Sequence, residues 1–360
     1  MSKRLKILLA GDYMWPWYQK ACSDSLRKLG CEVIEFSWFK HLWKSVESKS
    51  EPIYIDFFKR IQHKFLIGPV ISKINRELIE KATQEKPDVI WLYNVHLIRK
   101  NTILKLKNLL PNAKLVQYAN DNPFSKSASN ILWRHFKSSV SCFDISFAYR
   151  KSNIDDYIDH GAKKVFLLPA YYCPELDYPK DKKRIPHEFL SDVVFAGHYE
   201  NDHRIKSLEA VYDLGVNLKI YGGGWNSLLK SHPSSPLIKL LPIQPAVGED
   251  YVNVICGSKI ALCFLSTLNE DTYTRRCFQI PAMKTTLLSQ HTDHLEELFT
   301  ENEDIVFFKN EKELSEKVKF LLKNEEILKK ISKTGFKNIL MNGHDNLSRM
   351  KYWLDIVKNN

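Results

Sequence analysis

The chain has 360 residues, 44% of them hydrophobic and 26% charged, which is enough apolar material for packed cores and excludes disordered, collagen-like and low-complexity proteins. The length is about twice that of a single domain and predicts two domains. The net charge of +11 comes from the first half, because residues 1–172 hold 28 Lys and Arg against 16 Asp and Glu, whereas residues 173–360 hold 25 against 26. A basic half suits a nucleic-acid-binding protein or an enzyme that works beside an anionic membrane.

The targeting signals in the sequence are weak. No apolar run reaches the roughly 18 residues that a membrane-spanning helix requires. The basic and apolar start resembles a signal peptide, but the apolar stretch ends at Gly11-Asp12 and instead predicts a first strand over 5–10. The seven cysteines form no C-x-x-C pair, which favours reduced thiols and a cytoplasmic protein.

The first half of the chain alternates predicted strands and helices. A helix is expected at about 15–29, helical patterns dominate from 37 to 86, and a further helix is expected at 98–110. The predicted strands lie at 5–10, 31–36, 87–93, 114–118 and 145–149. Strands that alternate with helices are typical of a parallel, doubly wound sheet.

The alternation resumes after a proline-rich stretch at about 170–190, which we interpret as a linker. Strands are predicted at 192–197, 217–221, 260–264 and 286–288, and helices at 205–214, from 276, at 311–334 with Gly335 as its stop, and at 347–357. We therefore expect domains at 1–172 and 173–345, with a final helix at 346–360 that crosses back to the first domain. Ligands of open α/β sheets bind at the carboxyl ends of the strands, which is where we look for functional residues.

The strongest candidate site is the segment from Asp271 to Ala282, which follows a predicted strand and opens a helix. Backbone N–H groups at a helix start and the guanidinium of Arg276 together suit an anion such as a diphosphate. The alternative reading is a charged surface turn.

Several motifs of the second half resemble the donor domain of GT-B glycosyltransferases, in particular the CgeB-like group and the group 1 (family 4-like) enzymes. The motifs are Arg276-Cys277-Phe278-Gln279, Leu287-Leu288-Ser289, Leu295-Glu296-Glu297-Leu298-Phe299, Ile305-Val306-Phe307-Phe308, the strand 192–197 with Arg204, and Ile220-Tyr221-Gly222-Gly223-Gly224-Trp225. The resemblance covers most of the C-terminal half and little of the N-terminal half.

The resemblance implies an α/β GT-B fold, with two Rossmann-like domains whose parallel sheets face a central cleft. It also implies transfer of a sugar from a nucleotide-sugar donor to a bacterial glycan or lipid-linked acceptor, with the donor as co-substrate and neither cofactor nor metal. Retaining members hold two glutamates with seven residues between them, one for the sugar and one for the ribose. Asp271 and Gln279 have this spacing here, and an amide can bond ribose hydroxyls without offering a charge.

The donor-side residues follow from these motifs and from their places after strands. Glycine lets the backbone approach a phosphate closely, and an arginine can neutralise a departing diphosphate. The glycine run lacks the G-x-G-x-x-G pattern, which disfavours a nicotinamide enzyme. The predicted donor-binding residues are Gly197, His198, Arg204, Gly222, Gly224, Thr274, Arg276 and Gln279.

The acceptor side is expected in the first half. Asp121 lies between two amides after a predicted strand, where it either orients the acceptor hydroxyl or acts as its base, unless the loop is a simple Asx-turn before Pro123. His96 is either a sugar contact or a structural histidine. Asp121, His96, Arg276 and Asp271 are the predicted catalytic residues, and the other predicted acceptor-side residues are Gly11, Asp12, Asn94 and Asn120. The spacing of Asp271 and Gln279 favours retention of configuration, and inversion with Asp121 as base is the alternative.

Aromatic and basic residues are mixed between 36 and 71. One helical face could rest on an anionic membrane, although an amphipathic core helix has the same pattern. No nucleic-acid-binding signature accompanies it, so no nucleic-acid partner is expected. The residues are Trp38, Phe39, Lys40, Trp43, Lys44, Phe57, Phe58, Lys59, Arg60, Lys64 and Phe65.

Two further interpretations concern function as a whole. The segment His291-Thr292-Asp293-His294 lacks a clearly placed third ligand, and no metal site is predicted there. A non-catalytic protein that binds a sugar or nucleotide, and a nucleotide-sugar epimerase on the same fold, are the alternatives to a transferase.

Overall fold

The computed structural model describes residues 4–43 and 57–360. The chain divides into two compact units, Met1–Pro169 together with Asn346–Asn360, and Ala170–Asp345. We call them unit 1 and unit 2. Each unit has its own parallel sheet and its own hydrophobic core.

Unit 1 contains a six-stranded sheet in the order β2-β1-β3-β4-β5-β6, in which every neighbouring pair is parallel. Its inner strands are nearly continuous apolar runs because helices cover both faces of such a sheet; Leu8 of β1, for instance, is fully buried between Ile34 and Ile90 of its neighbours. The strands are β1 (Lys6–Gly11), β2 (Glu32–Ser37), β3 (Val89–Tyr93), β4 (Lys114–Ala119), β5 (Ile145–Ala148) and β6 (Val165–Leu167).

Unit 2 contains a five-stranded parallel sheet in the order β11-β10-β9-β7-β8. The carboxyl ends of β8, β7 and β9 are therefore neighbours at one edge. The strands are β7 (Ser191–Ala196), β8 (Leu218–Tyr221), β9 (Ser258–Cys263), β10 (Thr286–Gln290) and β11 (Val306–Phe308). The predicted α/β class with two parallel sheets is confirmed.

The helices connect and cover the strands. Those of unit 1 are α1 (Ala21–Lys28), α2 (Phe39–Leu42), α3 (Phe57–Phe65), α4 (Pro69–Glu85), α5 (Lys100–Leu109), α6 (Asn130–Ser139) and α7 (Asn153–Asp159). Those of unit 2 are α8 (Arg204–Tyr212), α9 (Leu228–Ser231), α10 (Glu249–Gly257), α11 (Arg276–Ala282), α12 (Asp293–Glu296), α13 (Glu311–Lys323) and α14 (Glu325–Met341). The last helix, α15 (Asn346–Asn359), belongs to unit 1.

Helix α15 is held in unit 1 by aromatic and polar contacts. The rings of Trp353 and Trp91 stack with centroids 4.4 Å apart. The amide of Asn346 donates to the hydroxyl of Ser25 over 2.9 Å. A long C-terminal helix thus completes the first unit rather than the one that precedes it in sequence.

Two helix predictions differ from the structure. The expected helix at 15–29 begins instead as a π-helix, Pro16–Lys20, in which Tyr18 has non-helical angles (φ −109°, ψ −112°), and becomes regular only in α1. The expected helix at 311–334 is two helices, because Asn324 has the non-helical angle ψ 70° and interrupts the helix between α13 and α14.

Gly335 lies inside α14 and does not end it. An added Cβ at this position would lie 2.2 Å from the carbonyl oxygen of Asp304, which is far inside van der Waals contact. The glycine is thus explained by the close approach of the helix to a neighbouring loop. In the sequence, a glycine needed for such an approach looks the same as a glycine that caps a helix C-terminus.

The proline-rich segment at 170–190 is also more ordered than a linker. Tyr171, Tyr172, Cys173 and Asp177 in it are all buried, and the carboxylate of Asp177 accepts a hydrogen bond from the backbone N–H of Cys173 over 2.8 Å. Its first part is a folded loop of unit 2.

Candidate active site

The glycines predicted for the donor side lie in two loops that pack against each other after β7 and β8. Gly222 has φ +147°, and an added Cβ would lie 1.9 Å from the carbonyl oxygen of Gly197. That same oxygen accepts the indole N–H of Trp225 over 3.1 Å. Gly224 has φ +83° and begins a short 3-10 helix, Trp225–Ser227. The structure therefore brings Gly197, His198, Gly222 and Gly224 together, with backbone contacts that require glycine at 222.

Arg204, the first residue of α8, is almost fully buried and is bound within its own loop. Its Nε donates to Asp202 over 2.7 Å and its Nη1 to the carbonyl of His198 over 2.8 Å. Its Nη2 lies 3.0 Å from oxygens of both Asp202 and Glu200. Because these carboxylates already balance its charge, Arg204 holds the loop after β7 in place and offers little charge to a ligand.

Arg276 has the opposite surroundings. Within residues 4–43 and 57–360, no carboxylate forms an ion pair with it, and its Nε is buried without a hydrogen-bond partner. Its guanidinium carbon lies 5.9 Å from the ring centroid of Phe195. Arg276 is half-buried, and a partly desolvated guanidinium without a carboxylate is a ready anion-binding group.

A pair of buried thiols adjoins Arg276. The Sγ atoms of Cys263 and Cys277 are 3.7 Å apart. The hydroxyl of Thr274 lies 3.5 Å from the Sγ atom of Cys263. The hydrogen bond from Cys277, together with the Arg276 charge, lowers the pKa of the Cys263 thiol, whereas burial raises the pKa of Cys277. Cys263 is thus the acidic member of the pair and faces the guanidinium.

Asp271 and Thr274 lie in the loop between β9 and α11. The backbone N–H of Asp271 donates to the carbonyl of Ser266 over 3.0 Å, and the carbonyl of Thr274 accepts from the N–H of Cys277 at the start of α11. The loop therefore places Asp271, Thr274 and Arg276 after the strand that lies between β7 and β10.

Gln279 is bound on both ends of its amide. Its Nε2 donates to Oδ1 of Asp177 over 2.7 Å, and its Oε1 accepts from the hydroxyl of Tyr251 at 3.4 Å. The other oxygen of Asp177 lies 3.1 Å from Nη2 of Arg275. Sequence reasoning missed Asp177 and Tyr251, because one lies in the supposed linker and the other in α10, and no motif marks either.

On the acceptor side, the structure brings Asn94 and Asn120 together at the carboxyl ends of β3 and β4. The side-chain oxygen of Asn94 accepts from the backbone N–H of Asn120 over 3.3 Å. The carbonyl of Asn120 also accepts from the buried guanidinium of Arg150 over 3.1 Å, a residue that sequence reasoning did not select. Asp121 follows and is exposed.

The loop that carries Asp121 does contain an Asx-turn. The side-chain oxygen of Asn122 accepts from the N–H of Phe124 over 3.0 Å and from the amide of Asn153 over 3.0 Å. The turn is made by Asn122 and leaves Asp121 on the surface. An Asx-turn in this loop and an acceptor role for Asp121 are therefore compatible.

His96 lies among aromatic rings. Its ring centroid is 5.8 Å from that of His63 and 6.0 Å from that of Trp133. Burial, with a smaller contribution from the nearby His63, lowers the pKa of His96 to about 4. The imidazole is neutral at pH 7 and a weak base, which favours the structural reading of this histidine over a role as a general base.

The predicted residues Gly11 and Asp12 lie at the end of β1 and in the loop that follows it. Oδ1 of Asp12 accepts from the N–H of Met14 over 3.0 Å, and burial raises the pKa of Asp12. The amide of Gln19 is buried against Gly11 without a hydrogen-bond partner. Trp15 and Trp17 stack with centroids 5.0 Å apart. The predicted residues Gly11 and Asp12 thus lie beside a buried amide that has no hydrogen-bond partner among the described residues, which is rare in folded proteins.

The segment at 291–294 forms a different cluster from the one considered in the sequence. Ligand atoms of His291, Asp293 and Glu296 lie within 4.8 Å of one another, and the imidazole of His291 is 2.7 Å from the carboxylate of Glu296. His294 points elsewhere, with its Nδ1 3.1 Å from the hydroxyl of Thr272.

The aromatic and basic run at 36–71 separates into a core part and a surface part. Trp38 is buried in the core of unit 1, whereas Phe57 and Phe58 of α3 are 69% and 77% exposed. Lys44 lies outside the described residues. Of the helices that the structure describes, none is both long enough and apolar enough to cross a bilayer.

Comparison with protein families finds one match, which covers most of unit 2. Residues 204–355 match a family model described as glycosyl transferase-like. This stretch contains all the predicted donor-side residues except Gly197 and His198. The match confirms the resemblance on which the donor residues were predicted.

Solved structures with the same fold cover nearly the whole chain. Sucrose-phosphate synthase from Thermosynechococcus elongatus is 12% identical over 99% of both chains, with a TM-score of 0.69. HepE from Anabaena, solved in complex with UDP-glucose, is 11% identical over 99% of this chain and 100% of its own, with a TM-score of 0.67. The chain has the GT-B fold.

A third GT-B structure is similar over nearly the whole chain. A UDP-forming α,α-trehalose-phosphate synthase from Burkholderia xenovorans is 11% identical over 99% of both chains, with a TM-score of 0.63. No curated protein matches the sequence significantly. At these identities the structural neighbours establish the fold alone, and the activity and substrates of the protein have to be argued from its own residues.

Proposed function

We propose that this glycosyltransferase moves a sugar from a nucleoside diphosphate sugar, bound by unit 2, to a glycan or lipid-linked acceptor bound by unit 1. The observation that carries the proposal is Arg276, a half-buried arginine without a carboxylate partner among the described residues, within the family-matched segment. The structural neighbour HepE was solved with UDP-glucose, which supports a nucleotide sugar as the donor.

The donor-side roles follow from the contacts. Arg276 stabilises the negative charge that the diphosphate gains as the bond to the sugar breaks. Arg204 acts indirectly, because its ion pairs fix the loop that carries Gly197 and His198. Asp271 contacts the sugar, Thr274 the diphosphate and Gln279 the ribose. The charge is balanced by side chains, so that no metal is needed.

On the acceptor side, the exposed carboxylate of Asp121 orients the acceptor hydroxyl, with the amides of Asn94 and Asn120 beside it. Gly11 and Asp12 form a second loop at the same edge of the sheet. His96 supports these loops from the core of unit 1. The spacing of Asp271 and Gln279 favours retention of configuration, and inversion with Asp121 as base is distinguished from it by the anomeric configuration of the product.

The test is the variant Arg276→Ala, assayed for release of free nucleoside diphosphate from a panel of nucleotide sugars with candidate acceptors. We expect its rate to fall about 100-fold or more, because one preorganised charge contact with the leaving group is lost. The matched control is Lys206→Ala, which removes a positive charge from the exposed face of α8 in the same unit and should leave the rate within about 2-fold of wild type.

Three results would contradict the proposal. Turnover by Arg276→Ala close to that of wild type would remove the role of the guanidinium. Calorimetric binding of a nucleotide sugar without release of the diphosphate would indicate a binding protein. A change in the sugar of the donor in the absence of any acceptor would indicate an epimerase.

We also propose that the enzyme works at the inner, anionic face of a membrane through α3. Its exposed rings, Phe57 and Phe58, lie beside Lys59, Arg60 and Lys64. Exposed aromatic rings flanked by basic residues suit insertion between anionic headgroups, and a lipid-linked acceptor would be presented at such a surface.

A further inference from the structure

The amide of Gln279 stands where related retaining enzymes have a carboxylate, and its surroundings restrict how it can be used. An amide group has a donor end and an acceptor end, whereas an ionised carboxylate only accepts. An incoming hydroxyl group therefore meets a different partner depending on which end of the Gln279 amide faces it. The orientation of the amide decides the chemistry at this position.

Asp177 fixes that orientation. Its Oδ1 accepts from Nε2 of Gln279 over 2.7 Å. If the amide were rotated by half a turn, its Oε1 would face the carboxylate oxygen at the same distance, and two acceptors would repel each other. The donor end of Gln279 is thus committed to Asp177, and Oε1 is left for other partners.

Asp177 is itself held firmly. It is 3% exposed, and its Oδ2 accepts from the backbone N–H of Cys173 over 2.8 Å and from Nη2 of Arg275 over 3.1 Å. Both contacts use the carboxylate as a hydrogen-bond acceptor. The loop at 173–177 is closed by these contacts, so the carboxylate cannot turn away from α11.

The acceptor end of Gln279 has spare capacity. Its Oε1 accepts only one hydrogen bond among the described residues, the long 3.4 Å contact from the Tyr251 hydroxyl. A carbonyl oxygen accepts two. Gln279 is partly exposed, so a ligand hydroxyl can supply the second.

We propose that Asp177 is a positioning residue that makes Gln279 act as a pure hydrogen-bond acceptor toward a ribose hydroxyl of the donor. Related retaining enzymes have a glutamate at the position of Gln279. Here the carboxylate comes from Asp177 in the loop at 173–177, which contacts Gln279 rather than the ligand. The inference rests on the proposed function and specifies its donor as a ribonucleotide rather than a deoxyribonucleotide. The competing explanation is that Asp177 only pairs with Arg275 and ties the loop to α11.

The two explanations differ in what an exchange of the two side chains does. In Asp177→Asn, the carbonyl of the new amide is retained by Arg275 and Cys173, so its NH₂ faces Gln279 and forces that amide to reverse. In Gln279→Glu, two carboxylates face each other. In the double variant, the amide at 177 donates to the carboxylate at 279, and an accepting oxygen again faces the ligand.

The experiment measures Kd by calorimetry for the tightest binder among UDP, GDP, ADP and CDP, and for its 2′-deoxy and 3′-deoxy forms, with the full-length chain. We expect wild type to bind one deoxy form about 10-fold more weakly, the contribution of one hydrogen bond. Each single variant should weaken binding of the ribonucleotide about 10-fold and reduce this discrimination. In the double variant, the affinity for the ribonucleotide and the discrimination against the deoxy form should both return to within about 3-fold of wild type.

A purely structural role of Asp177 gives a different pattern, because the double variant lacks the Arg275 ion pair just as Asp177→Asn does. Affinity in the double variant no better than in Asp177→Asn would overturn the inference. Equal affinity of wild type for ribo and deoxy forms would do so as well. If none of the four nucleotides binds wild type, the proposed function fails together with the inference, whereas binding without coupling between 177 and 279 rejects the inference alone.

A third variant guards against misfolding of the Asp177 variants. Gln279→Met removes the amide and leaves Asp177 paired with Arg275. It should melt within a few degrees of wild type and lose the discrimination between ribo and deoxy forms. Retention of that discrimination by Gln279→Met would also overturn the inference.

Discussion

Arg204 and Arg276 show how the environment of a residue decides its use. Both are arginines at helix starts in unit 2, and their guanidinium groups have opposite electrostatic surroundings. Arg204 is bound by Asp202 and Glu200, so removing it would leave two carboxylates near each other without a counter-charge. Arg276 faces a thiol pair and no carboxylate in the part of the chain that the structure describes. Only the second arrangement leaves a positive charge for a ligand.

Gly335 provides a test at the residue scale, because two physical effects predict opposite signs for Gly335→Ala. Helix propensity alone would stabilise α14 by about 1 kcal/mol. The contact of 2.2 Å between an added Cβ and the carbonyl oxygen of Asp304 requires backbone movement, and overpacking of this kind costs about 1–3 kcal/mol. We expect a net loss in the free energy of unfolding, measured by urea denaturation.

The control for this variant is Lys337→Ala, two residues further along the exposed side of α14. It raises helix propensity slightly without any steric conflict and should leave the unfolding midpoint nearly unchanged. A Gly335→Ala protein more stable than wild type would show that the loop at Asp304 yields easily and that the glycine has no packing role.

At the scale of elements, the loops after the strands carry the candidate site and the helices carry the surface. The three donor loops are adjacent because β7 lies between β8 and β9 in the sheet. They are braced by contacts between loops, such as Trp225 to the carbonyl of Gly197. Helix α3 differs from the other helices of unit 1 because it has no buried residue and exposes Phe57 and Phe58.

The role proposed for α3 predicts binding to vesicles. Wild type should sediment with vesicles that contain anionic phosphatidylglycerol and much less with pure phosphatidylcholine, and added salt should weaken the binding. The variant Phe57→Ser with Phe58→Ser should bind at least about 10-fold more weakly, since burial of each ring is worth about 1.5–3 kcal/mol.

The matched control is Phe320→Ser, which removes an exposed ring of 52% exposure from α13 in unit 2. It should bind vesicles like wild type. Equal vesicle binding by the α3 variant and wild type, or none by wild type, would contradict the membrane role and leave the transferase proposal untouched.

At the scale of the whole molecule, the chain forms unit 1, then unit 2, and then returns to unit 1 with α15. Helix α15 is held there by the stack of Trp353 on Trp91 in the middle of the first sheet, where both rings are fully buried. The carbonyl of Val357 also accepts from Lys114 over 2.6 Å. Helix α15 is therefore packed into the first unit through its buried side chains.

The variant Trp353→Ala tests this organisation. Loss of a buried tryptophan costs about 3–5 kcal/mol, and the loss should be felt in unit 1, where the ring is packed. Hydrogen exchange followed by mass spectrometry should show faster exchange in peptides from β1, β3 and β4 and little change in those from β7, β9 and β10.

The exposed neighbour Tyr352 supplies the control, since Tyr352→Ala removes a ring that is 40% exposed on the same helix. It should alter exchange only near α15. Faster exchange spread equally over both units in Trp353→Ala would mean that the two units unfold as one and would contradict a local role for the helix.

Much of the fold was predictable because it depends on local patterns. Short apolar runs that alternate with amphipathic segments specify parallel strands and helices wherever they occur. Arg276 and the glycines at 222 and 224 were selected in the same way, since they belong to short motifs at strand ends. The misjudged segments depended on distant neighbours, as with Gly335 beside Asp304 and the loop at 173–177 beside Arg275 and Gln279.

The sequence by itself determined two α/β units, a glycosyltransferase-like second half and the residue types available to bind a diphosphate. The tertiary structure decided which of those residues are available, because hydrogen bonds and ion pairs form between positions far apart in the chain. It pairs Arg204 with carboxylates, whereas no carboxylate of the described residues pairs with Arg276. It also places Asp177 against Gln279, 102 residues later. Charge and amide orientation depend on distances of a few ångströms, which no spacing along the chain records.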